Sequence, residues 1–585
     1  MMKHKLYILL AVILTTAVSC KKDYLEKPPL DQLADDVYWT NENNVRTFAY
    51  GFYSSYFPGY GTSVSWGKIL WGQPGGVSGG VENAASLNDD YAPNTPTEFT
   101  RIVPASGFGW NFDNVRKANL FIKKVEGMTV GTSMTEEAKK HWIGVGRFFR
   151  AMQYHYLVNR FGDVPYYDTV LEETDVAQLY KPRDSRAFVM DKVLEDLKFA
   201  AENVRSNDGT AKQAVNKDVV LAFTSRIMLY EGSWQKYHFA NTAKATEYFQ
   251  ASKNAADAII SSNRYSLGNY RAVFSSLDLA ANTEVILFRQ YVSGILTHSV
   301  MSWNNREPQV GASKSLIESY VASDGLPIGV SPLYQGDKGP AQVFANRDPR
   351  MTETFAKEIR LSGVVGNLSS SGYSAHKYLN ESLKDAPEAT GSVNQTDAPV
   401  IRFGEVLLNY AEATAELGSI TNEDLDKSIN KLRQRPGINI PRLRVAGAQT
   451  LVENGIAFDD PKRDPSVSSI LWEIRRERRV ELVFEGFRWD DIRRWKKAEY
   501  VDTEANTDIN RGAYIKKSDY PGLSVSIYLD NDKAKTEGYI TPSVSAASAR
   551  RFTDPKVYLY PLPQDQIVLY KTQGGVDLAQ NPGWQ

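Results

Sequence analysis

The sequence predicts a predominantly α-helical protein in which paired helices stack as hairpins, with a loop-rich remainder and a few short strands. Three observations predict it. Helical periodicity of apolar residues dominates from Gly109 to about Ser262 and returns between 401 and 485. Gly, Asn, Ser and Pro interrupt all sustained periodicity between Gly59 and Pro104 and again through much of 292–400. The composition, 42% hydrophobic and 23% charged, is that of an ordinary globular chain.

The N-terminus comes first and stands apart. Lys3 and Lys5 precede an apolar run, Leu6 to Val18, of secretory-signal length. A bilayer span needs roughly 20 apolar residues, so this run is too short to cross one. Small residues Ala17-Val18-Ser19 then lead to Cys20, the single cysteine among 585 residues. A lone thiol has no intramolecular disulfide partner. Directly after a cleavage site it is best used as a lipid attachment point, although Ala17 stands where many lipoboxes carry Leu. Residues 1–19 are therefore read as a signal peptide. Residues 20–30, with the charged and proline-bearing KKDYLEKPPL, are read as a lipid-anchored tether.

The body, 31–585, is too long for one small core. Helices are expected over 31–57, 109–126, 134–160, 184–204, 217–234 and 242–262. Their lengths and short polar turns suggest tetratricopeptide-like hairpins, mainly within 31–262. The segment 242–267 reads as the second helix of such a unit followed by a short strand. Glu284 to Tyr291 reads as a buried strand. The stretch 292–400 reads as loops with a short helix near 313–321, and 401–417, 422–434 and 465–485 as helices. The tail from Tyr558 reads as strand and turn.

Charge excludes one class. A net charge of −1 provides no global field for nucleic acid. The densest charge cluster is SILWEIRRERRVELVFEGFRWDDIRRWKK, Ser469 to Lys497, in which Glu473, Glu477, Glu481 and Glu485 repeat at i,i+4. Like charges at that spacing repel in an isolated helix, so partners are expected within the helix (Glu473 with Arg476, Arg478 with Glu481) and from elsewhere. Interleaved acids leave little net field, so the cluster reads as a structural ion-pair and stacking network, with Arg488, Arg493 and Arg494 packing on Trp489 and Trp495.

Enzyme signatures are thin. The histidines His141, His155, His238, His298 and His376 fall in no metal-ligand spacing, and neither a P-loop nor a GxSxG or HExxH motif occurs. No catalytic residue, metal or cofactor is assigned. Adjacent acids such as Asp89-Asp90 and Asp490-Asp491 are the one feature a glycosidase could use. The better site candidates lie in loops. Trp66, Trp71 and Tyr91 offer faces for sugar rings, and Asn88, Asp89 and Asp90 offer hydrogen-bonding groups for hydroxyls. Trp303, Asn304 and Arg306 form a second cluster of the same character. A reading in which these aromatics plug the loops against the helical core stays open.

Several ordered segments then carry a resemblance. They are DYLEKPPLDQLADDVYWTNENNV after Cys20, RFFRAMQYHYLVNRFGDVPYYD at 147–168, SLIESYVASDGLPI at 315–328, NRDPRM at 346–351 and HKYLN at 376–380. PVIRFGEVLLNYAEA at 399–413, IRRERRVELVFEGFRWDDIRRW at 474–495, YLYPLPQDQI at 558–567 and QNPGW at 580–584 complete the set. In these the chain resembles the RagB/SusD family of outer-membrane nutrient-binding lipoproteins from Bacteroidetes. The resemblance implies a SusD-like fold, with helical hairpins mainly within 31–262 plus C-terminal helices, ligand-binding loops from 59–104 and 263–400, and a C-terminal motif region at 401–585. It implies a surface-exposed lipoprotein on the outer membrane, anchored at Cys20. Such a protein is non-catalytic, captures oligosaccharide (peptide in some branches) and delivers it to a SusC-like TonB-dependent transporter.

Overall fold

The computed structural model describes residues 38–584 apart from 62–87, 94–102, 108, 208, 306–307, 310, 362–367, 419, 521–526, 549 and 553–554. Cys20, Trp66, Trp71 and Arg306 lie outside the described residues, as do the leader and the tether. Among the described residues, no helix is long and apolar enough to cross a membrane.

Five of the longer described helices start at side-chain caps that the sequence supplies. Asn41 accepts the Asn44 amide at 3.0 Å ahead of α1 (Glu42–Tyr50). Helix α2 spans Asp113–Gly127, and Thr135 caps α3 (Glu136–Phe161) through the Ala138 amide at 3.0 Å. Ser185, Asn216 and Asn241 do the same for α4 (Arg186–Asn203), α5 (Lys217–Tyr237) and α6 (Thr242–Ser261). Each such cap satisfies an otherwise orphaned amide, and replacing one by Ala typically costs about 1 kcal/mol. The chain returns later with α7 (Phe403–Glu416), α8 (Ser469–Glu481), α9 (Arg488–Arg494) and α10 (Gln564–Gly574).

From α2 to α8 each helix packs on the next, so the expected hairpins form one continuous stack that α7 and α8 extend. Close approach has a visible cause at Gly232 on α5. A Cβ there would lie 2.6 Å from the Phe249 ring of α6. Phe249 itself is buried, and a buried Phe side chain contributes on the order of 1.5–3 kcal/mol.

A second core fills the loop-rich half, around Tyr91, Tyr270, Phe274, Trp303, Tyr320, Phe355, Tyr378 and Phe484. Strand β1 (Val285–Arg289) joins the two cores. Ile286 and Leu287 belong to the helical core, and Val285 and Phe288 to the second. Burial on both faces explains why this strand is continuously apolar. It pairs antiparallel with β2 (Ala398–Arg402), Val285 opposite Arg402 and Phe288 opposite Pro399.

Several elements differ from expectation. The helix read over 31–57 is, where described, α1, then a break at Gly51, then the short turn Tyr53–Tyr56. The short strand expected directly after α6 is instead turn and irregular chain over 262–269. The helix read over 422–434 is two short pieces, Asn422–Lys427 and Ile429–Arg433, parted at Ser428, whose ψ of −93° is not helical. The tail read as strand and turn contains α10, ended by Gly575 in a left-handed conformation with φ of 66°. Among the described residues, besides the parallel pair of Pro308–Gln309 with Leu368–Ser369, two small three-stranded sheets were not anticipated. One comprises β3 (Leu443–Ala446), β4 (Gln449–Val452) and β5 (Ala457–Phe458). The other comprises β6 (Tyr514–Lys516), β7 (Tyr528–Leu529) and β8 (Glu537–Thr541). All are short, and their sequences are too polar to show a clear period of two.

Candidate functional site

The acidic face of α8 is the structural hub of the molecule. Glu477 accepts from Arg350 at 2.8 Å and Arg433 at 2.6 Å. Glu481 accepts from Arg402 at 2.8 Å, Arg435 at 2.6 Å and Arg350 at 3.3 Å. Just beyond the helix, Glu485 accepts from Lys377 and Arg402, each at 2.7 Å. Glu473 pairs with Arg476 at 3.0 Å, as its spacing predicts. All four carboxylates are buried. Burial alone would raise their pKa values, yet at Glu481 the charges of Arg435, Arg402 and Arg350 outweigh it and hold the carboxyl well below the usual carboxylate range. The partners come from the separated segments NRDPRM, HKYLN, PVIRF and KLRQR. Arg478 departs from expectation, pairing with Asp491 at 2.9 Å instead of Glu481.

The opposite side of α8 faces a cavity of about 760 Å³. Its other walls are the short helix Lys314–Ser319, the loop around Pro327–Tyr334, the loop Asp460–Pro465 and the segment from Trp495 to Asp508. A volume in the range of 300–1,000 Å³ suits a small ligand or a few sugar rings. Trp472, Tyr500 and Tyr334 reach this space as half-buried aromatics. The Trp472 indole donates to Asp460 at 3.0 Å, and Tyr500 donates to Asp464 at 2.6 Å, so both rings are held in place. At the α8 wall stand Arg475, Arg479 and Arg488. Trp495, almost wholly buried, supports them: the Arg475 and Arg488 guanidinium carbons lie 4.3 and 5.8 Å from its ring centroid.

The turn Asn88–Tyr91 meets this wall. Arg488 grips both oxygens of Asp89, at 2.6 and 2.7 Å, and Arg479 donates to Asp90 at 2.8 Å. Burial works to raise the Asp89 pKa, but Arg479 and Arg488 outweigh it and hold it at about 2. Burial raises that of Asp90, helped by the neighbouring Asp89 charge and opposed by Arg479.

These contacts correct the expected presentation of the site residues. Asn88, Asp89, Asp90 and Tyr91 are all buried. Asn88 accepts the Asp90 amide at 2.9 Å, and Tyr91 packs 5.2 Å from Phe484 in the second core. Of this turn only Asp89 lines the cavity. Trp303 is buried in the same core, and Asn304 is wholly buried, donating to the Val300 carbonyl at 2.9 Å and accepting the Tyr378 amide at 3.3 Å. These side chains brace the loops from within, because flanking apolar residues draw them into the core. The aromatics that do line the cavity, Trp472 and Tyr500, lie in and just after the charge cluster, where sequence reasoning assigned only structure. Their signal was an aromatic beside each group of paired charges. Among the described residues no cluster of His, Cys, Asp and Glu could hold a metal ion.

Known proteins share this architecture and these segments. A family model described as the SusD family matches residues 289–584, and one described as "Starch-binding associating with outer membrane" matches 88–229. A SusD-like protein of Formosa agariphila is 24% identical over 517 residues, covering 84% of this chain and 91% of the relative. A SusD-like protein of Bacteroides ovatus is 24% identical over 522 residues, covering 84% and 83%. Among solved structures, a SusD-like carbohydrate binding protein from Bacteroides fragilis aligns with a TM-score of 0.66 at 21% identity, covering 90% of this chain and 98% of that one. A surface glycan-binding protein A from Bacteroides fluxus aligns with a TM-score of 0.57 at 16% identity, covering 93% and 100%. With a mostly helical SusD-like fold and a family match over more than half its length, the chain belongs to the SusD family.

Proposed function

We propose that this protein is a non-catalytic glycan-binding lipoprotein of the outer membrane. Anchored at Cys20 and exposed at the surface, it captures oligosaccharide and passes it to a SusC-like TonB-dependent transporter. The observation that carries the reading is the cavity beside α8, where fixed aromatics and many hydrogen-bonding groups surround a space of sugar dimensions. Indole and phenol rings offer apolar faces to sugar C–H groups, and pre-held polar groups recognise hydroxyls at little ordering cost. Trp66, Trp71 and Arg306 are proposed as further ligand contacts.

The paired acids support capture without chemistry. Asp89 and Asp90 are engaged by Arg479 and Arg488, and Asp491 by Arg478 and Arg494. A glycosidase needs one carboxyl free to give up a proton and another free to attack or to activate water. The name of the matched starch-binding model and the printed titles of the structural neighbours point the same way. The test is titration of the purified protein with an oligosaccharide panel and a peptide pool, alongside Trp472→Ala. Glycan binding weakened about fivefold by Trp472→Ala, in line with roughly 1 kcal/mol for an aromatic contact, is expected. Binding of peptides alone would replace the glycan reading.

A further inference from the structure

At and behind the α8 wall five cations, Arg475, Arg479, Arg488, Arg550 and Lys236, meet three carboxylates, Asp89, Asp90 and Glu416. Arg479 and Arg488 share Asp89, the first at 3.2 Å and the second at 2.6 Å, and Arg479 also pairs with Asp90 at 2.8 Å. The buried Arg550 also faces that turn, making one long hydrogen bond of 3.5 Å to the Asn88 carbonyl and no ion pair among the described residues. The carboxylate partner of Arg475 is Glu416, at 3.1 Å, and Lys236 holds that same carboxylate at 2.7 Å. Among the described residues the Nε of Arg475 is buried without any acceptor, although the side chain is only 5% exposed. A buried guanidinium donor left unmatched is destabilising, because its lost hydration is not replaced.

The acids elsewhere around the cavity do not offset this surplus. Asp460 is taken by Arg476, Asp464 and Glu499 by Lys497 at 2.7 and 3.2 Å, Glu318 by Lys314 and Lys462, and Asp508 by Arg511 and Lys462 at 3.3 and 3.5 Å. The cavity therefore has a cationic end, at α8, and a self-compensated end. The cationic end is rigid, because Arg475 and Arg488 stack on Trp495 and Arg479 is tied to the 88–90 turn. Planar guanidinium donors held in this way match carboxylate or sulfate oxygens, whereas a neutral hydroxyl accepts from them without offsetting their charge.

We propose that the oligosaccharide captured here carries an acidic group, a carboxylate or a sulfate ester, that docks against Arg475, Arg479 and Arg488. This rests on the glycan-binding reading and names the class of glycan. The acidic group completes the donor set at the α8 wall, while the half-buried Trp472 and Tyr500 contact the sugar ring.

The experiment is calorimetric titration of the full chain with matched pairs of one oligosaccharide backbone. One pair is a uronate and its methyl ester, and the other a sulfated chain and its desulfated form. At least tenfold tighter binding of the acidic member of either pair is expected, and the pair that shows it identifies the acid. In Arg475→Gln, checked for an unchanged melt, that ratio should narrow by severalfold; if the variant unfolds, the matched pairs decide alone. Equal affinity within both pairs would overturn the acidic-group inference and leave glycan capture standing. Failure of every glycan to bind would overturn both.

Discussion

Arg488 holds Asp89 through two parallel hydrogen bonds of 2.6 and 2.7 Å, joining residues 399 positions apart in the chain. This pair fastens the 88–90 turn of the loop-rich half to the C-terminal charge cluster. It also gives the cavity its shape, since both residues line it. Asp89→Asn should leave two buried cations under-matched and destabilise the fold by about 3–5 kcal/mol. A chemical-denaturation midpoint unchanged from the parent would show that the turn is held by other contacts.

Glu481 should be the costlier carboxylate to lose. It is buried and shared by Arg350, Arg402 and Arg435, so Glu481→Gln leaves charge uncompensated at the centre of the molecule. A loss of at least 3 kcal/mol, or failure to fold, is expected. The exposed pair Asp459–Arg463 is the control. At 2.6 Å its geometry is as close, yet Asp459 is 56% exposed, and Asp459→Asn should change stability by no more than about 1 kcal/mol. Similar losses at both sites would contradict the burial argument.

Much of this network was legible in the sequence, and the reason is physical. Glutamates at i,i+4 on one helix face repel unless cations come to them, so 473–485 announced its need for partners. The identity of the partners was not legible. Arg350, Arg402, Arg433 and Arg435 come from separate segments, and only the fold brings them to α8. The helical stack was readable because its apolar residues recur at helical spacing and α1 and α3 to α6 also carry side-chain caps. Helix α10 was missed because its apolar residues show almost no facial segregation and only Tyr570 is buried. Tyr91, Trp303 and Asn304 turn inward, and residue type does not reveal whether a loop side chain turns in or out.

Acid should destabilise the protein above the range in which carboxylates titrate. His155 and His238 are half-buried, and desolvation together with nearby arginine charges lowers their pKa values from 6.5 to about 3. Burial lowers that of His298 to about 4. His298 donates from Nε2 to the Thr396 carbonyl at 2.8 Å and accepts the Val300 amide on Nδ1 at 3.1 Å, an arrangement only the neutral ring can make. These bases have depressed pKa values, so between their folded pKa values and 6.5 the unfolded chain binds more protons. Stability therefore falls as pH drops through 6.5, by about 2 kcal/mol per histidine at pH 5. Melting temperatures measured from pH 7.5 to 5 should decline, and His155→Leu should flatten the decline. A flat profile in the parent would contradict neutral burial.

The proposed anchoring at Cys20 makes a separate prediction. Replacing Cys20 with Ala should abolish incorporation of labelled palmitate and move the protein out of the membrane fraction. Unchanged labelling and fractionation would show that attachment does not depend on this thiol.

Capture without chemistry is the central claim, and calorimetric titration of the full chain with acidic and neutral oligosaccharides, followed by chromatography of the recovered ligand, tests it most directly. Saturable binding, tighter for the acidic members, with every oligosaccharide recovered intact after prolonged incubation is the predicted result. Shortened products, or no heat of binding from any glycan, would contradict it.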